Sequence, residues 1–287
     1  MVWDANTPYN GLPKLPPIAD LETRGVLKAT IEARASIARL DSAAQNLTNP
    51  GIVINAIPML EAQASSAIEN IVTTTDELFA ADAMGAIGEG ANNAAVRETL
   101  RYRSALAAGF EHALSRPLSA ATALEVCSQI RGHSVSVRTN EVYIGKPATK
   151  ERIYTPPASK DVIGGLLDNW AWFVNQGNDP SLEELPLDPI IRMAVAHYQF
   201  EAIHPFSDGN GRTGRILNVL MLCEAGLLKL PLLYLSGEII GTKDEYYRRL
   251  LAVTSDGDWE GWILYMIEQV RRSGERTLEL VNALSEL

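Results

Sequence analysis

The chain has 287 residues, of which 46% are hydrophobic and 21% are charged, and its formal net charge is −10. This length is enough to bury a sizeable core, and the composition is ordinary for a globular protein in water. The negative charge argues against a nucleic-acid-binding surface, so any phosphate group would have to be bound by a local cluster of cations.

No stretch of the sequence approaches the roughly 18 uninterrupted apolar residues of a membrane span. The N-terminus also lacks the basic and apolar regions of a signal peptide. We therefore expect a cytoplasmic protein without membrane contact. The two cysteines, Cys127 and Cys223, lie in apolar helical contexts and are expected to be buried, reduced thiols.

In the N-terminal third, a proline-containing arm at 1–19 precedes apolar residues at helical spacing, which predict a helix over about 21–47. A second apolar stripe predicts a helix over 58–71. Thr74 and Glu77 then form the sequence pattern of a capping box for the next helix. The glycine-rich residues 84–93 are expected to be a flexible connection. We expect the arm and the first helix to be a packing layer without a chemical role.

Helices are next predicted at 93–115, with Arg97, Glu98, Arg101 and Arg103 on its solvated face, and at 119–131. The pattern then changes to alternating β-branched residues, and 135–145 with 152–157 predict a β-hairpin. The remaining pattern predicts a buried extended connection at 230–236 and helices at 159–176, 188–203, 213–226, 242–255, 259–273 and 275–287.

The loop between the helices at 188–203 and 213–226 reads His-Pro-Phe-Ser-Asp-Gly-Asn-Gly-Arg-Thr-Gly-Arg over residues 204–215. Its proline ends the preceding helix. Gly209 and Gly211 allow main-chain N–H groups to converge, and a helix that starts there offers its free N–H groups and its dipole to an anion.

The charged side chains of this loop match the chemistry of phosphate transfer. Arg212 and Arg215 are three residues apart, so both are expected to face the anion and bind phosphate oxygens. Asp208 is suited to Mg²⁺, which prefers one or two carboxylates together with phosphate oxygens. His204 is expected to titrate near neutral pH and to accept a proton from an attacking hydroxyl.

The whole string resembles the signature of the Fic family, His-Pro-Phe-x-[Asp/Glu]-Gly-Asn-Gly-Arg-x-x-Arg, with no departures. The resemblance implies an all-α fold with a β-hairpin flap and an N-terminal helical layer. It also implies an enzyme that transfers AMP from ATP, with Mg²⁺, to a Ser, Thr or Tyr hydroxyl of a target protein or of itself. His204 would be the base, Asp208 would hold the metal, and Arg215 would act in catalysis by orienting the γ-phosphate so that pyrophosphate leaves in line. The nucleotide would lie on Ser207, Gly209, Asn210, Gly211, Arg212 and Arg215.

A second stretch, Ser-Ser-Ala-Ile-Glu-Asn at 65–70, is similar to the Fic inhibitory motif [Ser/Thr]-x-x-x-Glu-[Gly/Asn]. On local grounds Glu69 is a surface carboxylate near a helix end. The resemblance instead implies that Glu69, with Ser65 at the start of the motif, pairs with Arg215. Glu69 would then occupy the group that the γ-phosphate needs and would repel that phosphate.

The predicted hairpin, with Arg-Thr-Asn-Glu-Val-Tyr-Ile-Gly at 138–145 and Tyr-Thr-Pro-Pro at 154–157, is similar to the family's flap. From the residues alone it is a ribbon that stabilises the helices. The resemblance implies that the edge formed by Val142, Tyr143 and Ile144 binds the target segment by strand addition.

The resemblance covers roughly residues 1–275. It suggests an N-terminal helical layer at 1–92, a core at 93–275 and a C-terminal helix at 276–287, from which relatives often continue into a further domain. The sequence leaves open the target protein and the oligomeric state, a homo-oligomer among them. It also leaves open transfer of another group, an AMP-removing or bifunctional enzyme, a non-catalytic nucleotide-binding regulator and a regulator paired with a toxin.

Overall fold

The structure is a computed structural model that describes residues 3–47, 51–83, 93–146, 149–178 and 186–285. These residues contain eleven α-helices and one two-stranded antiparallel sheet, so the predicted helical fold with a small hairpin is confirmed. The helices are α1 (Arg24–Gln45), α2 (Gly51–Ile68), α3 (Thr75–Ala83), α4 (Ala94–Ala113), α5 (Ala120–Arg131), α6 (Lys160–Val174), α7 (Pro189–Ile203), α8 (Asn210–Glu224), α9 (Leu235–Gly241), α10 (Lys243–Asp256) and α11 (Trp259–Ser285). The strands are β1 (Ile144–Lys146) and β2 (Glu151–Tyr154), and a short 3-10 helix follows α6 at Asn175–Asn178.

Helix α7 is at the centre of the fold, and nearly all of its residues are buried. It is packed against α6, α8 and α11. Two tryptophans on neighbouring helices donate hydrogen bonds to main-chain carbonyls of α7. Trp170 of α6 donates to the carbonyl of Ala196 at 3.0 Å, and Trp262 of α11 donates to that of Ala194 at 2.8 Å. The loop that follows α7 is therefore held by a rigid support.

The N-terminal segment is a packing layer, as predicted. Helix α1 lies along α11, and Ser36 donates its hydroxyl to the carbonyl of Arg271 at 2.8 Å. The arm before α1 is bound to the core by side-chain amides, because Asn169 exchanges two hydrogen bonds with the main chain of Leu15. Gln199 of α7 donates to the carbonyl of Pro13 at 2.8 Å.

Three predicted boundaries are wrong, and packing explains each. Helix α11 runs unbroken through 274, where two helices were predicted, because Gly274 provides the space that Ser36 of α1 occupies. Helix α2 begins at Gly51 and includes Pro58, because the burial of Pro58 and its neighbours offsets the lost main-chain hydrogen bond. The extended connection predicted at 230–236 ends early, since α9 begins at Leu235.

The hairpin is shorter than predicted. Residues 135–143 form no strand, and β1 contains only Ile144–Lys146, paired with β2 across an irregularity between Ile144 and Gly145.

The capping box at Thr74 and Glu77 is confirmed by reciprocal hydrogen bonds of 2.9 and 3.2 Å. Both cysteines are unpaired thiols. Most of the predicted connection at 84–93 lies outside the described residues, and within those residues no helix is long and apolar enough to cross a membrane.

Candidate active site

The loop after α7 reverses the chain within a few residues. His204 has the left-handed conformation, with φ of 49°, and its N–H closes α7 on the carbonyl of Phe200 at 3.0 Å. Gly209 is also left-handed, with φ of 90°, and α8 begins at the next residue. Such a conformation is unusual for a residue with a side chain and marks His204 as a constrained position.

The side chain of Asn210 fixes the shape of the loop. Its Oδ1 accepts the N–H of Phe206 at 2.8 Å, and its Nδ2 donates to the carbonyl of Phe206 at 2.8 Å. The side chain is buried, and both of its polar atoms are already hydrogen-bonded within the loop. The predicted phosphate contact of Asn210 would therefore come from its main-chain N–H, while Ser207 is exposed beside it.

The start of α8 is open to an anion. Gly209 supplies no side-chain cap, so the N–H groups of the first turn, including that of Gly211, have no partner within the helix. Their direction and the helix dipole favour a negative group. A carboxylate already lies there, because a methyl group built on Gly211 would be 2.3 Å from Oε1 of Glu69.

Arg215 is fully buried and is bound by the end of α2. Its Nε donates to the hydroxyl of Ser65 at 2.8 Å, and its Nη2 donates to the carbonyl of Ser65 at 3.0 Å. The same Nη2 lies 2.8 Å from Oε1 of Glu69. Glu69 is the first residue after α2, and the left-handed Asn70 that follows turns the chain away. The pairing implied by the resemblance is thus present in the structure.

The two arginines of the loop have separate partners, although the sequence predicts that both face one anion. Arg212 pairs with Glu98 of α4, and its Nη2 lies 3.4 Å from Oδ1 of Asp208. The side chain of Asp208 is 57% exposed and also pairs with Arg131 of α5, at 2.5 Å. Arg215 instead faces Ser65 and Glu69 at the end of α2, so different helices supply the partners of the two arginines.

Asp208 is suited to Mg²⁺ as one carboxylate at the edge of an open anion site. Among the described residues, no three His, Cys, Asp or Glu side chains cluster around a common point. A single exposed carboxylate suits Mg²⁺ in a nucleotide complex, since phosphate oxygens and water complete its coordination. The donor set therefore fits a metal that arrives with its phosphates.

His204 is electrically neutral at neutral pH. Burial of the ring, and after it the positive charge of Arg138, lowers the pKa of His204 to about 4, while the main chain of Glu201 acts in the opposite direction. Arg138 is itself buried and binds the main chain around the loop, with Nε donating to the carbonyl of His204 at 2.7 Å and Nη2 to that of Pro157 at 2.6 Å. A neutral imidazole can accept a proton.

The predicted docking edge precedes the sheet. Val142 and Tyr143 lie before β1, Ile144 is its first residue, and Tyr143 is half exposed with the guanidinium of Arg152 4.8 Å from its ring centre. Within the described part of the chain, the main-chain groups of Val142 and Tyr143 have no hydrogen-bond partner. That arrangement is suited to strand addition.

Sequence reasoning missed two residues of the site. Glu98 was assigned to a solvated helix face, yet it is only 22% exposed and pairs with Arg212 and Arg131. Arg138 was part of the flap stretch, but its role as a clamp on the loop was not predicted. Tertiary packing brings these residues to the loop at 204–215, and no spacing in the sequence indicates that they lie there.

Comparison with known families agrees with this combination of a helical core, a glycine-rich anion loop and a histidine. The Fic/DOC family N-terminal model matches residues 27–111, and the Fic/DOC family model matches residues 117–222. Together they cover more than half of the chain. The chain therefore belongs to the Fic/DOC family.

Two curated relatives are nematode proteins named protein adenylyltransferase fic-1. The one from Caenorhabditis briggsae is 36% identical over 140 residues, which are 49% of this chain and 24% of that protein. The one from Caenorhabditis elegans is 34% identical over 150 residues, which are 52% of this chain and 26% of that protein. The matched region is thus about a quarter of the length of these relatives.

Solved structures show the same fold. A Fic family protein from Desulfovibrio desulfuricans superposes with a TM-score of 0.74 at 22% identity, covering 92% of this chain and 77% of that one. A fragment of Fic-1 from Caenorhabditis elegans gives a TM-score of 0.66 at 22% identity, covering 91% and 73%.

Proposed function

We propose that this chain is a protein adenylyltransferase that moves AMP from Mg-ATP to a Ser, Thr or Tyr hydroxyl of a target protein and of itself. The observation that carries the proposal is the open start of α8, where Gly211 faces the carboxylate of Glu69 beside the buried Arg215. A site that binds one anion there is suited to a phosphate. The names of the nematode relatives support the choice of AMP as the transferred group.

In this reaction His204 acts as the general base. The neutral ring takes the proton of the incoming hydroxyl, whose oxygen forms a bond to the α-phosphorus of ATP. The bond from that phosphorus to the bridging oxygen breaks, and pyrophosphate leaves. Mg²⁺ on Asp208 would neutralise phosphate charge. Proton transfer of this kind contributes roughly 10²–10⁴ in rate, and positioning by the loop supplies a further part.

Glu69 would hold the enzyme inactive by competing with the substrate. Its carboxylate pairs with Arg215 and lies over Gly211, which are the two groups that the γ-phosphate would use. A preference of about 2.7 kcal/mol for this paired state leaves about one molecule in a hundred able to bind ATP productively. Removing one partner of a fully buried ion pair costs roughly 3–5 kcal/mol. Arg215 is buried but Glu69 is 33% exposed, so this pair is expected at or below the lower end of that range, close to the preference that inhibition requires.

The test is the intact mass of the protein after incubation with Mg-ATP. We expect Glu69→Gly to gain the mass of one or more AMP groups while the parent gains little, because the variant frees Arg215. The matched control is Glu69→Gly combined with His204→Ala, which should bind the nucleotide but gain no mass.

Three outcomes would count against the proposal. Equal incorporation by the parent and Glu69→Gly would remove the inhibitory role of Glu69, and incorporation by the double variant would remove His204 as the base. A gain of another mass would change the transferred group. If the enzyme instead removed AMP, with Glu69 orienting a water, Glu69→Gly would lose that activity.

A further inference from the structure

A third guanidinium, that of Arg131, lies at the loop although it belongs to neither of the two motifs. Arg131 is the last residue of α5, and its Nη1 is 2.5 Å from Oδ2 of Asp208. Its aliphatic carbons pass over the loop, since a methyl group built on Gly209 would be 3.5 Å from Cδ of Arg131. Helix α5 therefore presents a cation to the carboxylate that is expected to hold Mg²⁺.

Two arginines and two carboxylates form one network of ion pairs beside the loop. Glu98 of α4 pairs with Arg212 and lies 3.2 Å from Nη1 of Arg131, and Asp208 lies 3.4 Å from Nη2 of Arg212. The formal charges of the four groups sum to zero. Arg212 is almost fully buried, whereas Asp208 is 57% exposed, so Asp208 is the member that a dissolved cation can reach.

We propose that Arg131 is a positioning residue that competes with Mg²⁺ for Asp208 and thereby sets the Mg²⁺ concentration that the site requires. This inference rests on the proposed function, in which Asp208 holds the metal. Each oxygen of Asp208 faces a guanidinium, and a metal ion that binds this carboxylate is repelled by both positive charges. Arg131 is the one that can leave, because Glu98 is within reach as its alternative partner.

Competition makes two variants act in opposite directions. Arg131→Met keeps the aliphatic stem over Gly209 and removes the charge, so the metal should bind more tightly. Glu98→Gln removes the negative charge of the alternative partner. The guanidiniums of Arg131 and Arg212 are then left with Asp208 as their charged partner, and the metal should bind more weakly. If Arg131 only supported the fold, both variants would weaken binding.

The experiment measures bound Mn²⁺ by electron paramagnetic resonance, with a saturating non-hydrolysable ATP analogue, in the Glu69→Gly background. We expect Arg131→Met to lower the half-saturating Mn²⁺ concentration about three- to fivefold, the range for a partly exposed ion pair. Glu98→Gln should raise it about twofold or more, by the same coupling. Arg131→Lys, which keeps a positive charge, should lie between Arg131→Met and the background.

The control is Arg103→Met, which breaks an ion pair between α4 and Asp82 of α3 that does not involve Asp208, and it should leave Mn²⁺ binding unchanged. An unchanged or raised half-saturation in Arg131→Met would overturn the inference; should that variant not fold, Arg131→Lys decides by the same criterion. Asp208→Ala separates the two proposals. If it leaves Mn²⁺ binding intact, the metal site of the proposed function fails; if it abolishes binding while the Arg131 variants change nothing, only the competition fails.

Discussion

At the scale of single residues, the site depends on the space that Gly211 leaves free because it has no side chain. Its φ is not in the left-handed region, so an alanine there would meet no backbone strain. The side chain that glycine lacks would lie 2.3 Å from Oε1 of Glu69 and 3.0 Å from Nη1 of Arg215. Gly211 therefore keeps open a space that a carboxylate or a phosphate can occupy, and the two exclude each other.

This geometry predicts that Gly211→Ala expels both anions. In the Glu69→Gly background, the affinity for a non-hydrolysable ATP analogue should fall about tenfold, the cost of overpacking a tight site. In the parent, the same change should not raise AMP incorporation, although it breaks the pair between Glu69 and Arg215. Calorimetric titration measures the first effect and intact mass the second.

The control for Gly211→Ala is Gly165→Ala, since nothing lies within 4 Å of a methyl group at Gly165 of α6. Its nucleotide affinity should equal that of the background. Undiminished binding by Gly211→Ala would show that phosphate does not use the space above this residue.

At the scale of elements, α2 is the helix that brings Glu69 to Arg215. Two turns before Glu69, Glu61 of this helix is fully buried and accepts hydrogen bonds from Ser236, by its N–H at 2.8 Å and by its hydroxyl, and from Tyr102 at 3.3 Å. Burial raises the pKa of Glu61 to about 7, against the effect of Ser236 and Arg215. These contacts fix α2 to α4 and α9, so that Glu69 reaches Arg215 from a firmly held helix.

The contact between α1 and α11 predicts a pair of opposite stability effects. A methyl group at Gly274 would lie 2.4 Å from Oγ of Ser36 and 3.3 Å from its main-chain carbon, so Gly274→Ala should lower the free energy of unfolding by about 1–3 kcal/mol. Gly165→Ala is also in a helix but has open space, and should raise it by about 0.5–1 kcal/mol. Urea unfolding measures both, and equal signs would contradict the close approach of α1 to α11.

At the scale of the whole molecule, titratable groups that packing shields from water have opposing effects on stability. Burial lowers the pKa of His197 to about 3 and that of His204 to about 4. Burial raises the pKa of Glu201 to about 8. The histidines destabilise the fold as the pH falls below 6.5, because the unfolded chain then binds protons that the folded chain does not. The carboxyl groups have the opposite sign, since the folded chain keeps their protons above pH 4.5.

The contribution of His197 can be isolated with His197→Gln, which keeps a polar group beside the hydroxyl of Tyr246, 2.8 Å from Nε2. Between pH 6.5 and about 3, a histidine that stays neutral lowers the free energy of unfolding by roughly 1.4 kcal/mol per pH unit. From pH 7 to 5, the parent should therefore lose about 2 kcal/mol more than the variant. Urea unfolding at both pH values measures this difference, and parallel losses would show that His197 is protonated in the folded protein.

The sequence predicted the fold class and the chemistry of the loop because both are local. Helical periodicity placed α1, α4, α5, α6 and α7 within a few residues of their observed bounds. The string at 204–215 is contiguous, so the sequence alone showed which side chains share one loop. Periodicity could not show that α11 is continuous through Gly274. A glycine lowers helix propensity, and only the packing of Ser36 of α1 against Gly274 explains why the helix continues there.

What the amino-acid sequence by itself determined is which chemical groups meet within one turn of chain: His204, Asp208 and the glycines around the start of α8. What only the tertiary structure decided is which distant charges reach them. Glu69 just after α2, Glu98 of α4 and Arg131 of α5 reach the loop from separate parts of the fold, and their pairing depends on how those helices pack. The physical reason is that an ion pair is fixed by distance in space, and distances between helices are set by the whole core.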